Sequence, residues 1–242
     1  MTRAAFIADA HGNLPALEAV LADIRQKGIE KIYFLGDLIG KGPDTSKILG
    51  LVRQSCAGVV YGNWDRLISS DYAGHGGPWF RERLSAGELE YLRALPRDLC
   101  LNLDGHAVRA YHGRFTIDEV VMPYSSLASI QKAMDAVGPS EVTIMADAHH
   151  PFMLMLGGRM LVNTGSVGNP CDRVAKASYF ALSIEGERIE GSHVRLPYDI
   201  ERAVRLAEEA ENLPMKGAYI EELRSARYSS ARTMGPGRTA CG

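Results

Sequence analysis

Carboxylates, imidazoles and one carboxamide recur along this chain at the ends of short apolar runs, and together they make the donor set of a divalent-metal site. Asp9-Ala10-His11 follows the run Ala4 to Ala8, Gly36-Asp37 follows Lys31 to Leu35, and Gly62-Asn63 follows Val59 to Tyr61. His112-Gly113 follows Ala107 to Tyr111, and His149 comes shortly after Val142 to Met145. Oxygen and imidazole donors suit hard or borderline divalent cations better than thiolate-seeking ones. Each piece alone is weak, since an isolated Asp-x-His is more often a pair of surface residues and a lone Gly-Asn is usually a turn. The order carries the information, because successive strand ends each deliver a metal-competent side chain with a glycine beside most of them.

Such residues meet only if the strands that carry them lie side by side. Through residue 150, short apolar runs alternate with helix-period segments, which is the pattern of stacked βα units. Leu17, Val20, Leu21 and Ile24 recur at i, i+3, i+4 and i+7 behind Asn13 and Pro15, residues that suit a helix start. Leu127, Ile130, Met134 and Val137 give a later helix one apolar face. In α/β folds ligands gather outside the carboxyl ends of strands, so the polar ends are expected on one rim. From about residue 152 the character changes. Phe152 to Leu156, Met160 to Val162, Ser178 to Ile184 and Arg188 to Val194 read as successive strands with glycine-rich turns, an antiparallel sheet. Ile200, Ala203, Val204 and Ala207 mark another helix. Residues 225–242 hold three arginines, no acid and little apolar content, and read as a frayed tail behind a single domain spanning residues 1–224.

At 242 residues, 46% of them hydrophobic and 23% charged, the chain can bury a substantial core. Its 27 basic and 29 acidic side chains leave a net charge of −2, which excludes the basic excess of a nucleic-acid-coating protein. No run reaches the roughly 18 apolar residues of a membrane span, and no cleavable apolar leader follows Met1. The four cysteines form no CxxC pair and read as reduced thiols, with Cys56 and Cys100 in or near the core. A cytoplasmic protein is the expectation.

With these residues in place, the sequence resembles the calcineurin-like metallophosphoesterases, in their compact bacterial and archaeal branch. That family carries D-x-H, G-D-x-x-x-x-G, G-N-H-D/E, H-G and G-H-x-H-x-P in this order. Here they stand as Asp9-Ala10-His11, Gly36-Asp37 through Gly42, Gly62-Asn63-Trp64-Asp65, His112-Gly113 and Ala146-Asp147-Ala148-His149-His150-Pro151. Asn163-Thr164-Gly165-Ser166-Val167-Gly168-Asn169-Pro170 resembles the family's N-P-G-S-V-G-x-P turn. The resemblance covers about residues 3–225. It implies a four-layer α/β/β/α sandwich of two mixed β-sheets flanked by helices. It also implies two divalent ions (Mn, Fe, Zn or Ni), one held by Asp9, His11, Asp37 and His149, the other by Asp37 as a bridge with Asn63, His112 and position 147. Two such ions activate a water and clamp the phosphoryl oxygens in an in-line displacement, with Asn63 and His112 at the reacting centre.

Three departures from the family pattern bear on chemistry. Position 147 is Asp where the family has His; the shorter carboxylate either ligates the second ion or falls short of it. Trp64 replaces the family's His, and Gly40 replaces the Asp that pairs with that His in protein phosphatases. The acid dyad that would protonate a leaving alkoxide is therefore missing, which favours anhydrides and esters with acidic leaving groups. Trp64 either packs at the wall of the site or offers a stacking surface to a base. Lys41 either reaches a phosphate as a point charge or is a surface lysine, and His150 either donates to the leaving group or faces solvent, as does His75. His106 and His193 read as exposed strand or turn residues. The expected activity is hydrolysis of a small phosphorylated molecule, a nucleotide phosphodiester or dinucleoside polyphosphate. The competing reading is a binding or scaffold protein that keeps the fold without efficient catalysis.

Overall fold

The computed structural model describes residues 1–229. In chain order the elements are β1 (Thr2–Ile7), α1 (Leu14–Gln26), β2 (Lys31–Leu35), α2 (Thr45–Ser55), β3 (Gly58–Val60), α3 (Asn63–Ser69), α4 (Gly77–Arg81), α5 (Ala86–Ala94), β4 (Asp98–Leu103), β5 (His106–Tyr111) and β6 (Gly113–Ile117). They continue with α6 (Leu127–Asp135), β7 (Val142–Met145), β8 (Phe152–Leu156), β9 (Arg159–Asn163), β10 (Ala177–Glu185), β11 (Arg188–Leu196), α7 (Ile200–Glu209) and α8 (Lys216–Ser225). Two mixed sheets of five strands result, ordered β11-β10-β1-β2-β3 and β4-β5-β7-β9-β8.

The layers follow from side-chain alternation along the strands. In β1, Ala4 and Phe6 face the second sheet with Val108, Ala110, Val142, Ile144 and Val162. Ala5 and Ile7 point the other way, to the layer of α1, α2, α7 and α8 through Leu17, Val20, Leu49, Val204 and Leu223. Behind the second sheet, Tyr111, Met145 and Leu161 pack on Ile130, Ala133 and Met134 of α6. The stack is helix, sheet, sheet, helix, the expected four-layer sandwich. Central strands buried on both faces read as continuous apolar runs, which is why β1, β2 and β7 were plain in the sequence.

Several local expectations differ from the fold. The strands after residue 152 do not make one antiparallel sheet: β8 and β9 form a hairpin whose β9 lies parallel to β7, whereas β10 and β11 join the other sheet beside β1. Hairpin partners are legible locally, but the sheet they join is decided by distant strands. Leu127 is 70% exposed, and Ala133 takes its place in the face of α6. Cys100 is exposed on β4, an edge strand, while Cys56 packs against the helix-side core. The expected frayed tail does not begin at 225. Ser225 ends α8, the Ala226 carbonyl accepts from Arg173 N, and Ser229 is bonded to Glu222. The remainder of that tail, 230–242, lies outside the described residues.

Candidate metal centre

The parallel strands β1, β2, β5 and β7 end at one rim, and the backbone there is bent to aim side chains inward. Left-handed φ angles occur at Asp9 (55°), His11 (46°), Asp37 (55°), Lys41 (65°), Asp147 (68°) and His149 (55°). Non-glycine residues hold that conformation only when their surroundings impose it. Here Asp9 N donates to Gly36 O at 3.0 Å, His11 N to Asp37 O at 3.0 Å, Gly168 N to Asp9 O at 2.9 Å and Ala146 N to His112 O at 2.8 Å.

Asp9, His11 and His149 bring ligand atoms within 4.8 Å of one another, and Asp9, Asp37 and His112 form a second such group. All five residues are buried. His11 Nε2 lies 3.2 Å from His149 Nε2 and 3.5 Å from Asp37 Oδ2. Asp37 Oδ2 is in turn 3.6 Å from His112 Nε2, so this oxygen sits between two imidazoles. Asn63 Oδ1 approaches His112 Nε2 at 3.0 Å.

Hydrogen bonding behind the imidazoles shows what this arrangement suits. His112 Nδ1 donates to the Leu35 carbonyl at 2.6 Å, and His149 Nδ1 donates to the Asn169 carbonyl. A carbonyl only accepts, so in the neutral ring each Nε2 presents a lone pair to the centre. His112 Nε2 and Asn63 Oδ1 then face each other as two acceptors. Among the described residues, neither carboxylate oxygen of the wholly buried Asp9 meets a hydrogen-bond partner. Lone pairs and carboxylates converging in a dry pocket are costly unless cations lie among them. The donor set therefore fits divalent ions.

The electrostatics agree. Burial, reinforced by Asp37 and Asp147, raises the Asp9 carboxyl well above its usual range, and burial followed by Asp147 raises Asp37 to about 8. Burial, then Lys41, lowers His11 well below the ordinary value and brings His149 down to about 3. Burial also lowers His112. Imidazoles held neutral have the protonation state that ligation requires.

Two further devices aim the ligands. The buried Asp65 carboxylate accepts from the backbone N of Asp37 at 2.8 Å, Gly62 at 2.8 Å and Leu38 at 3.0 Å, locking the loops after β2 and β3 together. Burial, then the charge of Asp37, raises Asp65 to about 7. A side chain at Gly62 would collide with Asp37, so glycine lets those loops touch. The 163–170 turn supplies the second device. Ser166 Oγ donates to Asp9 O at 2.9 Å, and the Asn169 carbonyl orients His149. Asp65 stood in the quoted motif, but only its hydrogen bonds reveal its work.

The remaining expected site residues fall as follows. Of the two readings of Lys41, the surface position does not hold: its ammonium is buried against Glu222 Oε2 at 3.1 Å and Asn169 Oδ1 at 2.5 Å. Trp64 lies over Gly40, where a Cβ would come 2.5 Å from Trp64 Cε3, and its ring meets that of His11 edge-on at 6.0 Å. The glycine and the indole thus fill the place the resemblance gives to an Asp-His dyad. His150 donates Nδ1–H to Ala148 O at 2.7 Å and lines a cavity that it shares with His11 and His149. His75 lines a neighbouring cavity beside Trp64, at 5.9 Å between rings. His106 and His193 stand apart: the first bonds Glu141 and Gly186 O, the second Asn163 O, both more buried than expected.

Over the centre opens a cavity of about 260 Å³, walled by His11, Trp64, Asp147, His149 and His150, with Arg114, Arg173 and Tyr228 around it. A second, of about 210 Å³, shares Lys41, Trp64, Arg114 and Tyr228. Arg114 and Tyr228 were not singled out in the sequence. Arg114 follows a motif residue and Tyr228 sits in the supposed tail, so neither has a local signal.

Comparison with known proteins follows this geometry. A Calcineurin-like phosphoesterase superfamily domain matches residues 2–187. An uncharacterized protein of Methanocaldococcus jannaschii is 32% identical over 223 residues, covering 82% of this chain and 89% of the relative. The crystal structure of a metallophosphoesterase from Sphaerobacter thermophilus superposes with a TM-score of 0.76 at 25% identity, covering 93% of this chain and 99% of that one. A symmetrical bis(5'-nucleosyl)-tetraphosphatase of Erwinia tasmaniensis is 33% identical over 82 residues, 33% of this chain and 30% of that protein. With a match over most of its length and the strand-end residues gathered at one rim, the chain belongs to the calcineurin-like phosphoesterase superfamily.

Proposed function

We propose that this protein is a dinuclear metal-dependent phosphoesterase acting on small phosphate esters or anhydrides, of the nucleotide phosphodiester or dinucleoside polyphosphate type. The observation that carries this reading is Asp37 Oδ2, set 3.5 Å from His11 Nε2 and 3.6 Å from His112 Nε2, where one carboxylate can serve two ions. Asp9, His11 and His149 would hold the first ion with Asp37, and Asn63 and His112 the second. Divalent ions so held supply Lewis-acid activation of water and neutralise charge on the phosphoryl oxygens.

The chain's own residues do the rest. Leu35 O and Asn169 O keep the lone pairs of His112 and His149 turned inward. Trp64, over Gly40, walls the cavity and presents an aromatic surface where the resemblance would put an acid. His150 has its Nδ1–H committed to Ala148 O, so its Nε2 can accept a proton in the neutral ring and can hand one to a leaving group only from the doubly protonated ring. The partial likeness to a symmetrical bis(5'-nucleosyl)-tetraphosphatase supports a nucleotide substrate.

The test is elemental analysis of the purified protein together with hydrolysis of a phosphomonoester, a phosphodiester and a dinucleoside polyphosphate. Two ions per chain and turnover that rises with leaving-group acidity are expected. Phosphoserine peptides hydrolysed as fast as phenolic esters would refute the substrate class, and metal binding without turnover would favour the scaffold reading.

A further inference from the structure

Asp147 stands at the rim with Oδ1 3.7 Å from His112 Nε2, but it belongs to neither group of three mutually converging ligand atoms. Its carboxylate is gripped by Arg114 instead. Arg114 Nη2 lies 2.8 Å from Asp147 Oδ1, Nε lies 2.9 Å from Oδ1 and 3.1 Å from Oδ2, and the Arg114 backbone N donates to Oδ2 at 3.2 Å. Nε–H is shared between both carboxylate oxygens while Nη2 lies beside Oδ1, a planar two-nitrogen approach that lysine cannot copy. The loops are pressed together at this point, since a Cβ on Gly113 would come 2.6 Å from Asp147 Cβ.

The two partners differ in exposure. The Asp147 side chain is 1% exposed and the Arg114 side chain 38%, and Arg114 lines both cavities. One edge of the guanidinium is thus fastened to a buried carboxylate while the rest opens toward the space above the metal centre. A guanidinium carries five N–H donors, so among the described residues Nη1 and the second hydrogen of Nη2 stay available to an anion. Lys41, also close to the centre, is committed to Glu222 and Asn169.

We propose that Asp147 is a positioning residue rather than a metal ligand, and that it holds Arg114 so that the guanidinium binds a phosphate group of the substrate. The proposal rests on the phosphoesterase reading of the same site. A fixed guanidinium meets a phosphate oxygen without first losing side-chain freedom, which is the advantage of a preorganised charge.

The experiment compares the wild type with Arg114→Ala, Arg114→Lys, Asp147→Asn and the Arg114→Ala/Asp147→Asn double variant, each loaded with manganese. Manganese per chain is measured by elemental analysis, inorganic phosphate binding by calorimetry, and kinetics with bis(4-nitrophenyl) phosphate. The manganese ratio should match the wild type in every variant. Arg114→Ala should weaken phosphate binding and raise KM by about 10- to 100-fold, the loss of a charge-assisted contact, with kcat less affected. Asp147→Asn should do the same to a smaller degree, Arg114→Lys should recover part of the loss, and the double variant should be no worse than Arg114→Ala. A manganese ratio that falls in Asp147→Asn but not in Arg114→Ala makes Asp147 a ligand and overturns the proposal. So does phosphate binding unchanged within two-fold in Arg114→Ala. A wild type that hydrolyses neither phosphate esters nor a dinucleoside polyphosphate defeats the phosphoesterase reading, whereas metal ratio and phosphate binding still decide the role of the pair.

Discussion

Replacing Glu222 by Ala should destabilise the whole protein, although Glu222 sits on the last described helix. Its Oε2 accepts from Lys41 Nζ at 3.1 Å and Asn169 Nδ2 at 3.0 Å, while Oε1 accepts from Ser229 N at 3.0 Å and Ser229 Oγ at 2.9 Å. Burial by itself lowers the Lys41 ammonium's pKa, but Glu222 foremost, with Cys171 and Tyr228, together hold the group above its ordinary value. Removing the carboxylate leaves a buried ammonium with Asn169 Oδ1 as its hydrogen-bonding acceptor. Breaking such a pair from one side costs about 3–5 kcal/mol. In a domain of this size each kcal/mol moves Tm by about 2–4 °C, so a fall of roughly 6–20 °C is expected. Calorimetry and urea unfolding measure it. Lys41→Met combined with Glu222→Leu removes both charges and should recover most of the loss. The reasoning fails if Glu222→Ala costs less than about 1 kcal/mol, or if the double variant is as unstable as the single.

Other expectations are more local. Gly40→Ala should cost about 1–3 kcal/mol by overpacking against Trp64, and adding Trp64→Ala should return part of it in urea unfolding. Asp37→Ala should abolish turnover and lower the metal ratio more than any change at Asp147, because Asp37 Oδ2 faces both His11 and His112; equal losses would remove the bridging role. His106 has acceptors at both ring nitrogens, Glu141 Oε2 at 2.7 Å and Gly186 O at 2.8 Å, a setting for the doubly protonated ring. These bonds, Glu141 first, raise its pKa above 6.5. A raised histidine contributes stability in full below its unfolded value and loses it as pH rises through the folded one. His106→Gln should flatten stability against pH in that window, and an NMR titration placing His106 below 6.5 would refute the assignment.

What the chain alone determined is the set of strand-end residues and the strands behind them. Asp9, Asp37, Asn63, His112 and His149 each terminate or closely follow a buried run, and both the apolar run and the polar break are local properties that can be read from neighbouring residues. Helix α1 was equally plain, because Asn13 caps it and its apolar positions share one face. The partners of those residues were decided by the tertiary structure. The spacing of Asp147 to His149 showed that the two face one site, but not that its carboxylate also bonds Arg114, which arrives from 33 residues away along the chain. For Lys41 the sequence left open a phosphate contact or a surface position, and it gave no sign of Glu222, 181 residues distant, as its partner. The same holds for β8 to β11, whose hairpins were legible but whose division between two sheets was not. A side chain's type fixes which contacts it can make, whereas the contact it does make depends on which competing donor or acceptor folding brings nearest, and that distance is set by packing of segments remote in sequence.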